Sequence, residues 1–178
     1  MKRRGFTIVE LAITITVMGI LLTLAVVSLN SSQANARDSE RIGDAEAIVL
    51  NLEAYYNNKS EDSLGNLVMS GGTYPGTSYL AASTFSKILP DIDPKSTRAP
   101  DVDSSAPMSL VAATNNDQSI SGIRPLPSKT NDVYVYQPLT ASGALCLTPT
   151  VTNECRKFNV YFYQETTNTV QQITSKNQ

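Results

Sequence analysis

The feature that most limits what this chain can become is a run of 24 residues, Phe6–Leu29, whose single charged side chain is Glu10. Coiled as a helix at about 1.5 Å per residue, the run is about 36 Å long. A bilayer's hydrocarbon core is about 30 Å thick, so the segment can span it with some tilt. Lys2, Arg3 and Arg4 stand directly before the run, and the next basic residue is Arg37. Basic flanks stay on the cytoplasmic side, which predicts a single pass with the N-terminus in and the C-terminal domain out. The mean hydropathy of the whole chain is −0.14, which excludes a polytopic membrane protein. Beyond the run the chain is rich in Ser, Thr and Asn, and it has no His and no Trp anywhere.

Glu10 is the anomaly in that run. A carboxylate inside a span costs about 2.5–3.5 kcal/mol, and less near an end. Taken alone, an acid one turn in is tolerated by reaching for the headgroups. Its neighbours give it a second meaning. The stretch reads Gly5-Phe6-Thr7-Ile8-Val9-Glu10-Leu11 behind Lys-Arg-Arg. This resembles the class III signal of type IV pilins and type II secretion pseudopilins over roughly the first 30 residues.

The resemblance implies that a membrane aspartyl peptidase cuts between Gly5 and Phe6 and methylates the new Phe6 amine. Residues 1–5 are then a cleaved leader, and Glu10 is the family's glutamate, four residues after the new N-terminus. Gly5, lacking a side chain, lets the backbone approach a protease site closely. A neighbouring subunit's Glu10 can neutralise the cationic amine of Phe6 where attraction is strong and an unpaired charge is costly. Such a pair sets axial register, because a subunit out of step strands two charges. Loss of the leader leaves 11 Lys/Arg against 16 Asp/Glu, a net charge of −5, which gives no support to nucleic-acid binding.

Two alternatives compete. Ala34-Asn35-Ala36 has the form of an ordinary signal-peptidase site, and cleavage there would release a secreted domain. An h-region is usually about 7–15 residues, however, and this run is longer and carries Glu10. A plain single-span anchor without processing is the other.

Helical patterning continues beyond the apolar run. Ile42, Ala45, Val49, Leu52 and Tyr56 recur at helical spacing, and Ile48 and Tyr55 widen the stripe. The first proline is Pro75, so the helix is predicted to run to Asn57–Asn58, two residues that tolerate a left-handed stop. The stripe defines residues 30–58 as an amphipathic stalk after the membrane segment 6–29. Gly19 matches a glycine common in the apolar half of the pilin helix. Val27 stands near where that family often has a proline, which favours a continuous helix, since proline costs about 3 kcal/mol in a helix interior. Arg37, Asp38, Glu40, Arg41, Asp44 and Glu46 are read first as a solvated face, because exposed ion pairs contribute only about 0–1 kcal/mol. Salt bridges between subunits are the sharper possibility.

Residues 59–178 form the expected extracellular domain. Up to residue 132 it is dominated by turn chemistry: Ser70-Gly71-Gly72, Tyr74-Pro75-Gly76 and the Pro90–Pro107 stretch. Tyr79–Leu89 could be one short helix. Strands come late, at Val133–Gln137, Ala144–Thr148, Phe158–Tyr163 and, more weakly, Thr169–Ile173. Phe158, Val160 and Phe162 fall on one face, and Asn159, Tyr161 and Tyr163 on the other. A helix stripe and a sheet face must bury each other. The expected fold is therefore α+β, a long N-terminal helix packed on an antiparallel sheet of about four strands, which is also the pilin arrangement.

Cys146 and Cys155 read as a disulfide outside the cytoplasm, with free buried thiols as the alternative. Asp91, Asp93, Asp101 and Asp103 are better read as solvated turn carboxylates than as a calcium site. No nucleotide fingerprint, nucleophilic triad or Cys-x-x-Cys motif is present, so neither an enzyme nor a cofactor is expected. The resemblance implies a pilus structural subunit that forms a homo-oligomeric helical filament. Its partners would be the prepilin peptidase, the membrane, the assembly platform and an ATPase-driven motor. A minor pilin or adhesin, for which Tyr134 and Tyr136 are candidate contact residues although they are better read as packing in the sheet, and a secretion or competence pseudopilin are the alternatives.

Overall fold

The structure is a computed structural model, and it describes residues 7–57, 60–61, 67–69, 72–80, 88–100, 108–150 and 153–177. The leader, Gly5 and Phe6 lie outside the described residues, as do Asp101, Asp103 and most of the Tyr79–Leu89 segment.

One helix, α1, runs unbroken from Ile8 to Asn57. No proline interrupts its ladder, and its end falls at the predicted stop. Next in the chain is a two-stranded ladder, β1 (Ser60–Glu61) against β2 (Leu67–Met69). Two 3-10 turns, Thr77–Leu80 and Pro94–Thr97, punctuate the return path toward the sheet. The main sheet is β3 (Leu110–Ala112), β4 (Tyr134–Thr140), β5 (Cys155–Gln164) and β6 (Thr169–Thr174), ordered 3-4-5-6.

The expected four strands are there, with two corrections. The sheet is mixed: β4, β5 and β6 are antiparallel neighbours, but β3 runs parallel to β4. Three residues are too few to display alternation, so Leu110–Ala112 left no strand signal. Ala144–Thr148 is not a strand. Leu145 makes one isolated bridge to Leu139, and the segment then turns into the disulfide loop. β4 instead extends through Pro138 to Thr140. Pro138 lies beyond the last β3 partner, Tyr136, where β3 no longer needs a donor from β4 and the Pro138 carbonyl accepts from Cys146 N at 2.9 Å, so a proline is tolerated.

The predicted alternation on β5 is observed. Phe158, Val160 and Phe162 join Ala45, Ile48, Val49, Leu52 and Tyr55 of α1 in the main core. Tyr161 faces the other way, into a smaller cluster with Ala113, Ile123 and Val135. The rings of Tyr56, Tyr74, Phe158 and Tyr136 run in contact across the main core, with centroids 4.6–5.8 Å apart. Ile42, expected in the buried stripe, is 37% exposed; apolar packing on α1 begins at Ala45.

Cys146 and Cys155 are joined and fully buried. Their loop anchors the chain that returns from α1. Tyr74 N donates to Cys155 O at 2.8 Å, Thr77 N to Cys146 O at 3.1 Å and Ser78 N to Leu147 O at 3.0 Å. Gly76 is required at this crossing, because a Cβ there would lie 2.4 Å from the Leu147 carbonyl oxygen.

Two stability outcomes are expected. Leu52, 1% exposed at the helix–sheet contact, should cost about 2–5 kcal/mol when changed to Ala, measured by denaturant unfolding. Cys146→Ser with Cys155→Ser should cost about 2–3 kcal/mol in the same assay.

Candidate assembly helix and its junction with the globular domain

From Ile8 to Leu29, every residue of α1 is exposed among the described residues. Its most apolar 18-residue window has a mean hydropathy of 2.4 and no buried residue. Ile8, Leu11, Ile15, Met18, Leu22 and Val27 are among the large apolar side chains left exposed. By length and composition α1 can cross a membrane. The hydroxyls of Thr14, Thr16 and Thr23 are absorbed by carbonyls one turn back in the helix.

Glu10 stands at the tip of this rod. Thr7 caps the helix, and the two residues bond reciprocally. Thr7 N and Thr7 Oγ1 each donate to Glu10 Oε2 at 2.9 Å, while Glu10 N donates to Thr7 Oγ1 at 3.2 Å. This is a capping box, and Thr-x-x-Glu before an apolar run is its sequence signature. Sequence reading missed this local role for Thr7, which is additional to the resemblance and whose signal was the Thr-x-x-Glu spacing. The Glu10 Oε1 atom has no hydrogen bond among the described residues.

At the other end of the apolar half, α1 meets the globular domain through charge. Arg37 donates from Nε and Nη2 to the two carboxylate oxygens of Glu165, both at 2.9 Å. Asp38 accepts four bonds: from Glu165 N at 2.7 Å, Thr166 N at 2.8 Å, Thr166 Oγ1 at 2.6 Å and Arg41 Nη1 at 3.0 Å. Arg41 also reaches Asp132, with Nη2 at 2.6 Å from Oδ2. Lys129 Nζ lies 3.4 Å from Glu165 Oε1. The turn between β5 and β6 and the Ser128–Asp132 turn thus close around the Arg37–Arg41 stretch of the helix. Asn168 supplies the left-handed residue of the first of these turns, with φ 54°, a conformation asparagine tolerates.

The charged stretch is therefore not simply a solvated face. Asp38 and Arg41 are each 4% exposed and Asp44 is 9% exposed, and the contacts of Arg37, Asp38 and Arg41 lie within the chain. Helical spacing carries the buried stripe down from Ala45 through Asp44, Arg41 and Asp38, but the groups facing it there are polar. Glu40 pairs with Lys95 at 2.9 Å, and Glu46 is exposed.

Burial works against ionisation of Asp38, but the hydrogen bonds from Thr166, Glu165 and Arg41 outweigh it and hold the carboxyl below its usual range. The hydrogen bonds and charge of Arg37 hold Glu165 low in the same way. Asp44 goes up, because burial outweighs the hydrogen bond it accepts from Tyr134 at 2.9 Å.

Tyr134 and Tyr136 are both 1% exposed. Their hydroxyls donate to Asp44 and to the Pro75 carbonyl, so they are core residues and not surface contacts. Glu53 is a buried carboxylate that sequence reading missed. It accepts from Tyr74 OH at 2.9 Å and Lys176 N at 2.7 Å, tying the C-terminal residues to α1. Asp93 caps the Pro94–Thr97 turn through Lys95 N at 2.9 Å. Among the described residues no group of three His, Cys, Asp or Glu side chains is placed to hold a metal.

Residues 1–26 match the family model described as the prokaryotic N-terminal methylation motif. No curated protein and no solved structure matches the chain. The motif is the class III prepilin-type signal, which implies processing by a peptidase and assembly with membrane machinery, and together with the α+β architecture it supports a type IV pilin-like or pseudopilin protein.

Proposed function

We propose that this chain is the structural subunit of a type IV pilus. The observation that carries this is α1 itself: a rod of exposed apolar side chains with one carboxylate, Glu10, at its tip. In this reading residues 1–5 are the leader, 6–29 the membrane and assembly helix, 30–58 the stalk, and 59–178 the extracellular domain. The precursor waits in the membrane with its N-terminus inside. Cleavage after Gly5 frees the Phe6 amine, which is then methylated. A motor-driven assembly platform lifts the subunit, and its apolar helix exchanges lipid for the helices of other copies. Such head-to-tail contacts do not close on themselves and so generate a helical fibre.

Glu10 acts as the register element. Thr7 holds Oε2, leaving Oε1 for the Phe6 amine of a neighbouring copy. Gly5 is the cleavage residue. The unbroken passage of α1 through Val27, where the resembling family often has proline, favours keeping the pseudopilin and minor-subunit readings beside this one. Abundance in sheared filaments separates them: a major subunit dominates the sheared fraction, a minor one or a pseudopilin does not.

Glu10→Ala is expected to be cleaved but to assemble poorly. A buried pair broken on one side costs about 3–5 kcal/mol, so sheared filament should fall by more than about tenfold. Unchanged filament yield would remove the register role. Gly5 replaced by Leu is expected to leave uncut precursor in the membrane fraction; a mature N-terminus at Phe6 in that variant would contradict the assigned cleavage site.

A further inference from the structure

The contacts that hold α1 to the globular domain are of two kinds, and they are separated along the helix. Between Ala45 and Tyr55 the contact is a packed apolar core. Below Ala45 the buried residues of α1, among those described, are Asp38, Arg41 and Asp44. No apolar side chain of α1 is fully buried there, and Ile42 is 37% exposed. Among the described residues the lower contact therefore rests chiefly on hydrogen bonds and ion pairs, while the upper one rests on burial of apolar surface.

The two kinds of contact respond differently to conditions. Apolar burial is indifferent to protonation, whereas a carboxylate that accepts four bonds loses acceptors when it gains a proton. We propose that Asp38, with Arg37 and Arg41, forms a separately releasable latch: its opening lifts the β5–β6 turn and the Ser128–Asp132 turn off the helix while the Ala45–Tyr55 core stays folded. Release frees about 10 Å more of helix, from Arg37 to Gly43, at about 1.5 Å per residue. The body then pivots on the rod about the remaining core. Local opening of this sort is drawn from regions with few buried apolar contacts.

The charged groups around the latch are balanced. α1 contributes Arg37, Asp38 and Arg41, the Ser128–Asp132 turn contributes Lys129 and Asp132, and the β5–β6 turn contributes Glu165. Asp44, Glu40, Lys95 and Tyr134 border it above. Asp38 and Glu165 are held below the usual carboxylate range. Their contribution is present above the unfolded values of about 4 and is lost as pH falls through the lower folded values. Asp44 has the opposite sign, because its folded value is raised; acid removes the cost of burying its charge and does not loosen it. Acid below about pH 4 therefore opens the latch from Asp38 and Glu165.

Hydrogen–deuterium exchange of the full chain in detergent micelles tests this. In Asp38→Asn at neutral pH, peptides carrying the amides of Glu165 and Thr166 should exchange at least about tenfold faster, since both amides donate to Asp38 in the folded chain. Peptides over 48–55 and 158–162 should stay within about twofold of the unaltered protein. Equal protection of the β5–β6 turn in variant and unaltered protein would overturn the proposal, and so would parallel loss of protection in the core. If Asp38→Asn does not fold, Glu165→Gln, which weakens the pair with Arg37, is read by the same two sets of peptides. In the unaltered protein the turn should open at a higher pH than the core; simultaneous opening rejects a separate latch.

Discussion

One helix has to satisfy two surroundings, and everything else in this protein is arranged around that constraint. A helix closes its own backbone hydrogen bonds, so it can pass from hydrocarbon to water without leaving polar groups stranded. α1 runs over Ile8–Asn57 without a proline or a break, so its ladder is closed for either surrounding. What changes along it is the side chains. The lower half is apolar on all sides, and among the described residues nothing buries it. The upper half is apolar on one stripe, and the sheet covers that stripe. The same element is thus a free surface at one end and the spine of a folded domain at the other.

Between those halves sits a junction made of charge. Buried ion pairs are poor sources of net stability, because desolvation offsets attraction, but they discriminate strongly between matched and mismatched arrangements. Three cations, Arg37, Arg41 and Lys129, face three carboxylates, Asp38, Asp132 and Glu165. They define the azimuth at which the β5–β6 turn sits on the helix. An apolar patch there would tolerate sliding by a residue or two; a bidentate Arg37–Glu165 pair and a four-bonded Asp38 do not. The Tyr74–Glu53–Lys176 contact does the equivalent work at the far end, so α1 is gripped by polar groups on either side of an apolar centre.

The long return path from helix to sheet is secured by crossings. The disulfide holds the loop between β4 and β5 against Tyr74–Ser78 through three backbone bonds. On the opposite face of the sheet, Gln137 donates to the carbonyls of Asn115 and Asp117, and Tyr161 OH donates to that of Gln118. A chain dominated by turns is ordered in this way by side-chain amides and hydroxyls, which hydrogen-bond to carbonyls that no ladder uses.

The helix, its stop near Asn57, the alternation on β5 and the pairing of the two cysteines were all legible in the residues, because each depends on local spacing or on a short list of partners. The capping box of Thr7 and Glu10 was not read from the sequence, although Thr-x-x-Glu is its signature. What no window of sequence contains is the direction of β3, since parallel pairing joins residues more than twenty positions apart. Nor could it contain the fate of Asp38, Arg41 and Asp44. On the helix alone they are charges at ordinary spacing, and charge by itself argues for solvent. Only when Asp132, Tyr134, Glu165 and Thr166 arrive from 90 to 130 positions away do they acquire enough donors and acceptors to be buried. Periodicity along the chain determined the rod; long-range polar complementarity decided how the body is seated on it.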